Sequence, residues 1–211
     1  MPMKKIAVLA SGRGSNFQAI MDAISRDEIP AVCCGLVTDN PKAYAITRAE
    51  RVGIPVYIVD FSSYPSKDDY EEALLAILHE LSADLYILAG YMRLLGVGIV
   101  RDLNGRIMNI HPALLPAFPG LHAQRQAFLY GVKVTGCTVH FADEGTDSGP
   151  VIVQACVPVF EDDDEDTLAK RILKEEHRCL PQAISLFCEG RLIIDGRKVI
   201  ILPGNRKSTP L

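Results

Sequence analysis

The amino-acid sequence predicts an α/β protein, a Rossmann-like three-layer sandwich in which helices cover both faces of a mostly parallel sheet. Short apolar runs alternate with amphipathic helical segments through the first half of the chain, the order that a parallel sheet requires. These runs are apolar at successive positions, as in strands buried on both faces. Strand-like runs follow one another more directly later in the chain, so we expect a mixed C-terminal extension.

Each element is predicted from its own local pattern. Short apolar runs bounded by glycine, proline or polar residues predict strands at residues 4–10, 31–39, 56–60, 84–89, 106–110, 135–142 and 150–159, with a closing hairpin at 191–202. Helical periodicity predicts helices that end near residue 26 and that span residues 41–52, 66–82, 97–102, 123–130 and 166–188. Ser66 is expected to cap the third helix and Gly53 to end the second. No repeat or linker interrupts this order, so residues 1–211 are interpreted as a single domain.

The composition indicates which kinds of molecule the protein can bind. A net charge of −4 argues against a broad basic face for nucleic acid, although backbone amides at a helix end could still hold a small anion. No apolar stretch is long enough to cross a bilayer, and the start of the chain lacks a secretory signal pattern. We therefore expect a cytoplasmic protein without a membrane partner.

Metal and disulfide chemistry have little support in the sequence. The six cysteines form no Cys-x-x-Cys pair and no zinc-type cluster with histidine, so we expect buried, reduced thiols and no metal. The acidic run at residues 161–166 could bind a hard cation. Because calcium-loop spacing is absent, we favour a solvated loop that leads into a helix N-terminus.

A glycine-containing loop, Ser11-Gly-Arg-Gly-Ser-Asn16, follows the first strand, where α/β sheets bind ligands. It is no dinucleotide fingerprint, because Phe17 occupies the third glycine position, and no Gly-Lys-Ser/Thr follows as in a Walker loop. One interpretation is a phosphate cradle for a mononucleotide-like ligand. The other is a tight turn in which Ser15 caps the helix.

Asn109 and His111 carry the strongest chemical signal in the chain. Side chains two residues apart on a strand point to the same face, here at the strand's carboxyl end. An amide can donate to an oxyanion, and an imidazole can move a proton near neutral pH. Asp147, in a glycine-containing loop, would orient His111 and raise its pKa if the two meet. The alternatives are a structural histidine and an ordinary turn aspartate.

Glu176 lies on the apolar stripe of the last predicted helix, among Ile172, Cys179 and Leu180. A buried carboxylate is costly unless it has a partner. It therefore either pairs with a buried arginine or faces a ligand pocket, and Pro181 could rotate the second half of the helix.

With these features in place, the chain resembles the phosphoribosylglycinamide formyltransferases, the folate-dependent glycinamide ribonucleotide transformylases of the 10-formyltetrahydrofolate hydrolase-like group. The matching stretches are the glycine loop, Leu88-Ala-Gly-Tyr-Met-Arg-Leu-Leu95, Asn109-Ile-His-Pro-Ala-Leu-Leu-Pro116, Pro119-Gly-Leu-His122 and residues 143–149. The resemblance implies the formyltransferase fold, with a nucleotide-binding half at about residues 1–103 and a folate-binding half at about 104–211.

The resemblance also implies residue roles. Asn109, His111 and Asp147 would be catalytic. The substrate would contact Gly14, Ser15, Asn16, Lys67 and Glu176. The folate would contact Met92, Arg93, Leu94, Leu95, Asn109, Asp143, Glu144, Gly145, Thr146 and Asp147. Lys67 replaces the arginine usual in the family, and Leu173 replaces a residue that is often polar.

The implied reaction transfers the formyl group of 10-formyltetrahydrofolate to the amine of glycinamide ribonucleotide in purine synthesis, by a monomer or homodimer that needs no metal. Methionyl-tRNA formyltransferases usually add a basic C-terminal domain, and formyltetrahydrofolate deformylases add an N-terminal regulatory domain. The sequence shows neither, so we expect the glycinamide ribonucleotide reaction. A non-catalytic nucleotide-binding module remains an alternative of another class.

Overall fold

A computed structural model describes residues 3–204 as helices packed on one nine-stranded sheet. The strand order is β3-β2-β1-β4-β5-β6-β7-β9-β8. Strands β1 to β5 run parallel, β6 and β7 are antiparallel, and the last two form a hairpin beside β7. The strands are β1 (Lys4–Leu9), β2 (Ala31–Thr38), β3 (Val56–Ile58), β4 (Leu85–Leu88), β5 (Ile107–His111), β6 (Val134–Phe141), β7 (Val151–Pro158), β8 (Leu192–Asp195) and β9 (Lys198–Ile201).

The helices lie close to their predicted positions. They are α1 (Ser15–Ser25), α2 (Tyr44–Arg51), α3 (Lys67–Leu81), α4 (Val97–Asp102), α5 (Ala123–Tyr130) and α6 (Glu165–Cys188), with a short 3₁₀ helix at Phe61–Ser63. Ser66 caps α3 as predicted, because its side chain accepts from the Asp69 amide. Helix α2 begins later than predicted because Asn40 turns the chain, its side chain accepting from the Lys42 amide at 2.9 Å.

The sheet separates two hydrophobic cores, which confirms the three-layer arrangement. Ile6 and Val8 of β1 face the core formed with α1, α2 and α6, whereas Ala7 and Leu9 face the core formed with α3 and α4. This alternation follows from the two-residue period of a strand. Residues apolar at successive positions therefore serve both cores, as the sequence pattern indicated.

The acidic run before α6 acts as a helix start. Asp164 accepts from the Thr167 amide at 2.7 Å, and Asp163 forms a two-pronged ion pair with Arg171 at 2.6 Å. Among residues 3–204, no group of three histidine, cysteine, aspartate or glutamate side chains could hold a metal ion. In the same part of the chain, none of the helices has the length and apolar character needed to cross a membrane.

The strand order reverses between β1 and β4. The chain runs from β1 outward through β2 to β3, then returns to place β4 on the other side of β1. Such a reversal opens a crevice at the carboxyl ends of the strands, the usual ligand position in α/β sheets. We call this side of the molecule the carboxyl edge, and the loops after β1, β4 and β5 all leave from it.

Candidate active site

Ser11 joins the loops that leave β1 and β4 at the carboxyl edge. Its amide donates to the Gly90 carbonyl at 3.1 Å, and its hydroxyl accepts from the Met92 amide at 2.9 Å. Asn40, after β2, donates to the Ser11 carbonyl at 3.0 Å. The predicted nucleotide loop and folate loop are therefore tied together by one buried serine, which the sequence analysis did not single out.

Helix α1 begins within the glycine loop, and no side chain caps its N-terminus. Gly14, at φ +68°, is the cap position and Ser15 the first helical residue, so the interpretation of Ser15 as the cap is wrong. A Cβ at Gly14 would lie 2.7 Å from the Ala45 Cβ, whereas one at Gly12 would meet nothing within 4 Å. Gly14 thus allows α1 to pack against α2, and Gly12 leaves an open approach to the loop. The first amides of α1 have no partner within the helix and suit an anion.

Glu176 pairs with Asn16 instead of an arginine. The Asn16 amide nitrogen donates to Glu176 Oε2 at 2.7 Å, and Glu176 is only 6% exposed. Burial raises the pKa of the Glu176 carboxyl, which the hydrogen bond from Asn16 only partly offsets. The Asn16 Oδ1 atom is buried without a hydrogen-bond partner in the described chain. The pair therefore offers unused acceptor capacity next to the glycine loop.

Asn109 and His111 lie together at the end of β5, as predicted, and Asp147 contacts both. Asp147 Oδ1 accepts from the Asn109 amide nitrogen at 3.2 Å, and its Oδ2 lies 3.2 Å from His111 Nδ1. The Gly120 amide also donates to Asp147 Oδ2, at 2.8 Å. Asp147 holds a φ of +52°, an uncommon conformation for a side-chain-bearing residue. The loop after β6 thus places one carboxylate against both predicted catalytic side chains.

The two ring nitrogens of His111 both face oxygen acceptors. Nε2 lies 2.8 Å from the Phe118 carbonyl, and Nδ1 faces the Asp147 carboxylate. Either neutral tautomer leaves one nitrogen lone pair against an oxygen, so only the imidazolium satisfies both contacts. Burial nevertheless lowers the pKa of His111, and this effect outweighs the opposing influence of Asp147 and Phe118. Asp147 thus raises the pKa of His111 as predicted, but burial has the larger effect, so the net pKa is lowered.

His140 is a second buried histidine in the site and was not among the predicted site residues. Its Nδ1 lies 2.9 Å from the Phe141 carbonyl, which can only accept, so the proton belongs on Nδ1. Its Nε2 then accepts from the Asn109 amide nitrogen at 3.1 Å. This contact fixes which end of the Asn109 amide points towards Asp147. The alternation of β6 could have indicated His140, because Thr138 and His140 share the face opposite to Cys137.

The Asp147 carboxyl stays ionised despite its burial. Burial raises its pKa, but the hydrogen bond from the Gly120 amide and the attraction of the facing His111 ring lower it, and the net pKa is lowered. The preceding residues stabilise the loop. Asp143 accepts from the Gly145 amide and from the Ser148 hydroxyl, at 3.1 and 2.6 Å, and Glu144 forms an ion pair with Arg101. Thr146 is exposed.

The predicted folate residues of the loop after β4 differ in exposure. Met92 and Leu94 are 61% and 67% exposed, while Leu95 packs partly against the α3–α4 core. Arg93 turns away from them. It donates to Asp39 at 2.7 Å and its guanidinium lies 3.8 Å from the centre of the Phe61 ring.

Lys67, predicted to contact the substrate, is exposed at the start of α3. Its ammonium lies 3.2 Å from Glu71 on the same helix. Lys67 therefore lies at the carboxyl edge, where its ammonium already forms an ion pair with Glu71.

Comparison with known proteins places these features in a family. Residues 4–184 match the sequence family described as formyl transferase. The phosphoribosylglycinamide formyltransferase of Bacillus subtilis is 46% identical over 182 residues, which are 86% of this chain and 93% of that protein. The crystal structure of glycinamide ribonucleotide transformylase 1 from Symbiobacterium toebii has 50% identity and a TM-score of 0.93, with 95% of both chains covered.

A longer relative matches as well. The trifunctional purine biosynthetic protein adenosine-3 of Drosophila melanogaster is 44% identical over 194 residues, or 90% of this chain. The match covers 14% of that protein, so the chain spans only a small part of its length.

Proposed function

Because this chain belongs to the formyl transferase family, we propose that it transfers the formyl group of 10-formyltetrahydrofolate to the amine of glycinamide ribonucleotide. The products are formylglycinamide ribonucleotide and tetrahydrofolate, and the reaction belongs to purine synthesis. The Bacillus subtilis relative is named a phosphoribosylglycinamide formyltransferase and the fly relative a purine biosynthetic protein, and both names support this assignment. Residues 1–211 act as one domain in this proposal, and the cytoplasmic location and the monomeric or dimeric state stay predictions.

The observation that carries the proposal is the contact of one half-buried carboxylate, Asp147, with both Asn109 and His111. An amide donor and an imidazole on the same strand end suit an acyl transfer, which passes through a tetrahedral oxyanion. A nucleotide-binding module would need the glycine loop but not this trio. The geometry therefore favours an enzyme over a binding module.

Asn109, His111 and Asp147 have different roles in the proposed reaction. The substrate amine attacks the formyl carbon, a new C–N bond forms, and the carbonyl oxygen becomes an oxyanion. Asn109 and protonated His111 donate hydrogen bonds to it. Collapse breaks the bond to N10 of the folate, and the proton lost by the amine reaches N10 through His111 or a water held by Asp147. Both amide hydrogens of Asn109 and both ring nitrogens of His111 already have partners in this structure. Each side chain must therefore release Asp147, its longer contact, to donate to the oxyanion.

The substrate occupies the other side of the crevice in this proposal. The uncapped N-terminus of α1 binds the phosphate through Ser15 and Asn16 backbone amides, and Gly12 leaves room for its approach. Glu176 and the free Asn16 Oδ1 accept hydrogen bonds from the polar groups of the substrate. The exposed Met92 and Leu94, with the loop at residues 143–147, contact the folate.

A competition experiment tests the ligand assignment. Inorganic phosphate should compete with glycinamide ribonucleotide and not with the folate, because only the former uses the glycine loop. Competition with the folate alone would place the phosphate site elsewhere and contradict the assignment.

A further inference from the structure

The hydroxyl of Thr138, at the centre of β6, makes three hydrogen bonds, although it has no direct role in the proposed reaction. Its hydroxyl donates to the Ala113 carbonyl at 2.7 Å and accepts from the Leu115 amide at 3.0 Å. It also accepts from the Gln154 side chain at 2.9 Å. One donor and two acceptor positions are all a hydroxyl has, so this fully buried group is completely satisfied.

Gln154, on the neighbouring strand β7, completes the arrangement. It lies directly opposite Thr138 in the strand register, and its amide nitrogen also donates to the Leu115 carbonyl at 3.0 Å. Leu115 is thus held at both its amide and its carbonyl. We call Thr138 and Gln154 the loop clamp, because they fasten the segment that follows β5 to the antiparallel strands.

The fastened segment carries two groups that contact the catalytic trio. The Phe118 carbonyl faces His111 Nε2 at 2.8 Å, and the Gly120 amide donates to Asp147 at 2.8 Å. Phe118 adopts a positive φ of 55°, a conformation that its surroundings must impose. The loop clamp bonds to Ala113 and Leu115, the second of which lies three residues before Phe118, and so fixes the start of this turn.

On the basis of the proposed function, we infer that Thr138 and Gln154 are positioning residues, which hold the Phe118 carbonyl against His111 and so set the orientation of the catalytic imidazole. Neither side chain contacts the trio. Their effect passes through the backbone from residue 113 to residue 120.

The state of His111 provides a readout that does not depend on catalysis. The groups that face its ring are the Asp147 carboxylate, the Phe118 carbonyl and the His140 imidazole. The Phe118 contact favours the protonated ring, so its loss should lower the pKa of His111 further. Release of the clamp should therefore move the His111 titration to lower pH.

Thr135 provides a matched control on the same strand. It is 2% exposed, and its hydroxyl has no hydrogen-bond partner in the described chain. Thr135→Val and Thr138→Val remove the same atom from similarly buried sites. Only the second change breaks hydrogen bonds to the loop.

The experiment measures turnover and the ¹⁵N titration of His111 in four variants: Thr138→Val, Thr138→Ser, Gln154→Leu and Thr135→Val. A displaced catalytic group can cost about 100-fold in rate, so we expect kcat to fall about 10- to 100-fold in Thr138→Val, with unchanged KM for both substrates. The His111 titration should shift to lower pH. Thr138→Ser should restore both properties, and Thr135→Val should match the wild type.

Gln154→Leu keeps the test valid if Thr138→Val does not fold, because Gln154 lies at an exposed position. Its kcat and its His111 titration should change in the same directions as in Thr138→Val, but by a smaller amount. Unchanged titration and kcat in Gln154→Leu, or equal effects of Thr135→Val and Thr138→Val, would overturn the inference. If the wild type lacks transferase activity while the titration still shifts, the clamp holds and the proposed function fails.

Discussion

Glu176→Gln separates a substrate-binding carboxylate from a structural one. The carboxylate is 6% exposed and its hydrogen-bond partner is the neutral Asn16 amide, so no cation in the described chain compensates its charge. The change weakens a charge-assisted hydrogen bond to a neutral one, a loss of about 1 kcal/mol. It also removes a buried charge, whose desolvation costs several kcal/mol. The Gln amide could further donate to the unpartnered Asn16 Oδ1.

The balance predicts a more stable variant at neutral and higher pH. A gain of about 1 kcal/mol raises Tm by about 2–4 °C in a domain of this size. Because the folded-state pKa of Glu176 is raised above its ordinary value of 4.5, the destabilising charge is absent below pH 4.5 and grows as the pH rises through the folded pKa. The Tm advantage of the variant should therefore vanish in acid and be largest in alkali.

Thermal unfolding across this pH range and substrate titration check the prediction. We expect a higher KM for glycinamide ribonucleotide, with folate affinity unchanged. Asp163→Asn is the contrasting control, because it breaks a two-pronged ion pair with Arg171 and should lower Tm. A lower Tm of Glu176→Gln at pH 8 with an unchanged nucleotide KM would refute the reasoning.

Three further predictions, made with five substitutions, test the rest of the site. Asn109→Ala and His111→Ala should each lower kcat about 10²- to 10³-fold with both substrates still bound; steady-state kinetics showing near wild-type kcat would contradict their roles. Gly12→Val should raise the nucleotide KM and leave Tm unchanged, whereas Gly14→Val should lower Tm because its Cβ meets Ala45; equal Tm losses would refute this distinction. Asp147→Asn should lower Tm at pH 7, since the lowered pKa of Asp147 adds stability above 3.8 that is lost as the pH falls through the folded pKa; a Tm difference that persists in strong acid would argue otherwise.

Features that depend on short stretches of chain, such as the face of a strand or the cap of a helix, could be predicted from the sequence. The two-residue period of β5 placed Asn109 and His111 on one face, and helical periodicity placed Glu176 on the buried side of α6. The Ser66 cap followed from the residue preference at helix starts. Each of these features involves fewer than a dozen neighbouring residues.

Contacts between distant segments could not be derived in the same way. Asn16 and Glu176 are 160 positions apart, and no local pattern indicates that an amide would partner this carboxylate. The direction of the His111 pKa depends on a competition between burial and Asp147 that only the assembled site determines. Gly14 stays a predicted substrate contact, but the close packing of α1 against α2 that requires a glycine there could not be read from the local sequence.

Formyl transfer by the purified wild-type protein is the most direct test of the proposed reaction. 10-Formyltetrahydrofolate is supplied with glycinamide ribonucleotide, with water alone, or with methionyl-tRNA, and both tetrahydrofolate and the formylated product are quantified. The account predicts release of tetrahydrofolate that requires glycinamide ribonucleotide and matches formylglycinamide ribonucleotide one for one. Equal release in its absence would indicate a deformylase, and transfer only to the tRNA would likewise contradict the account.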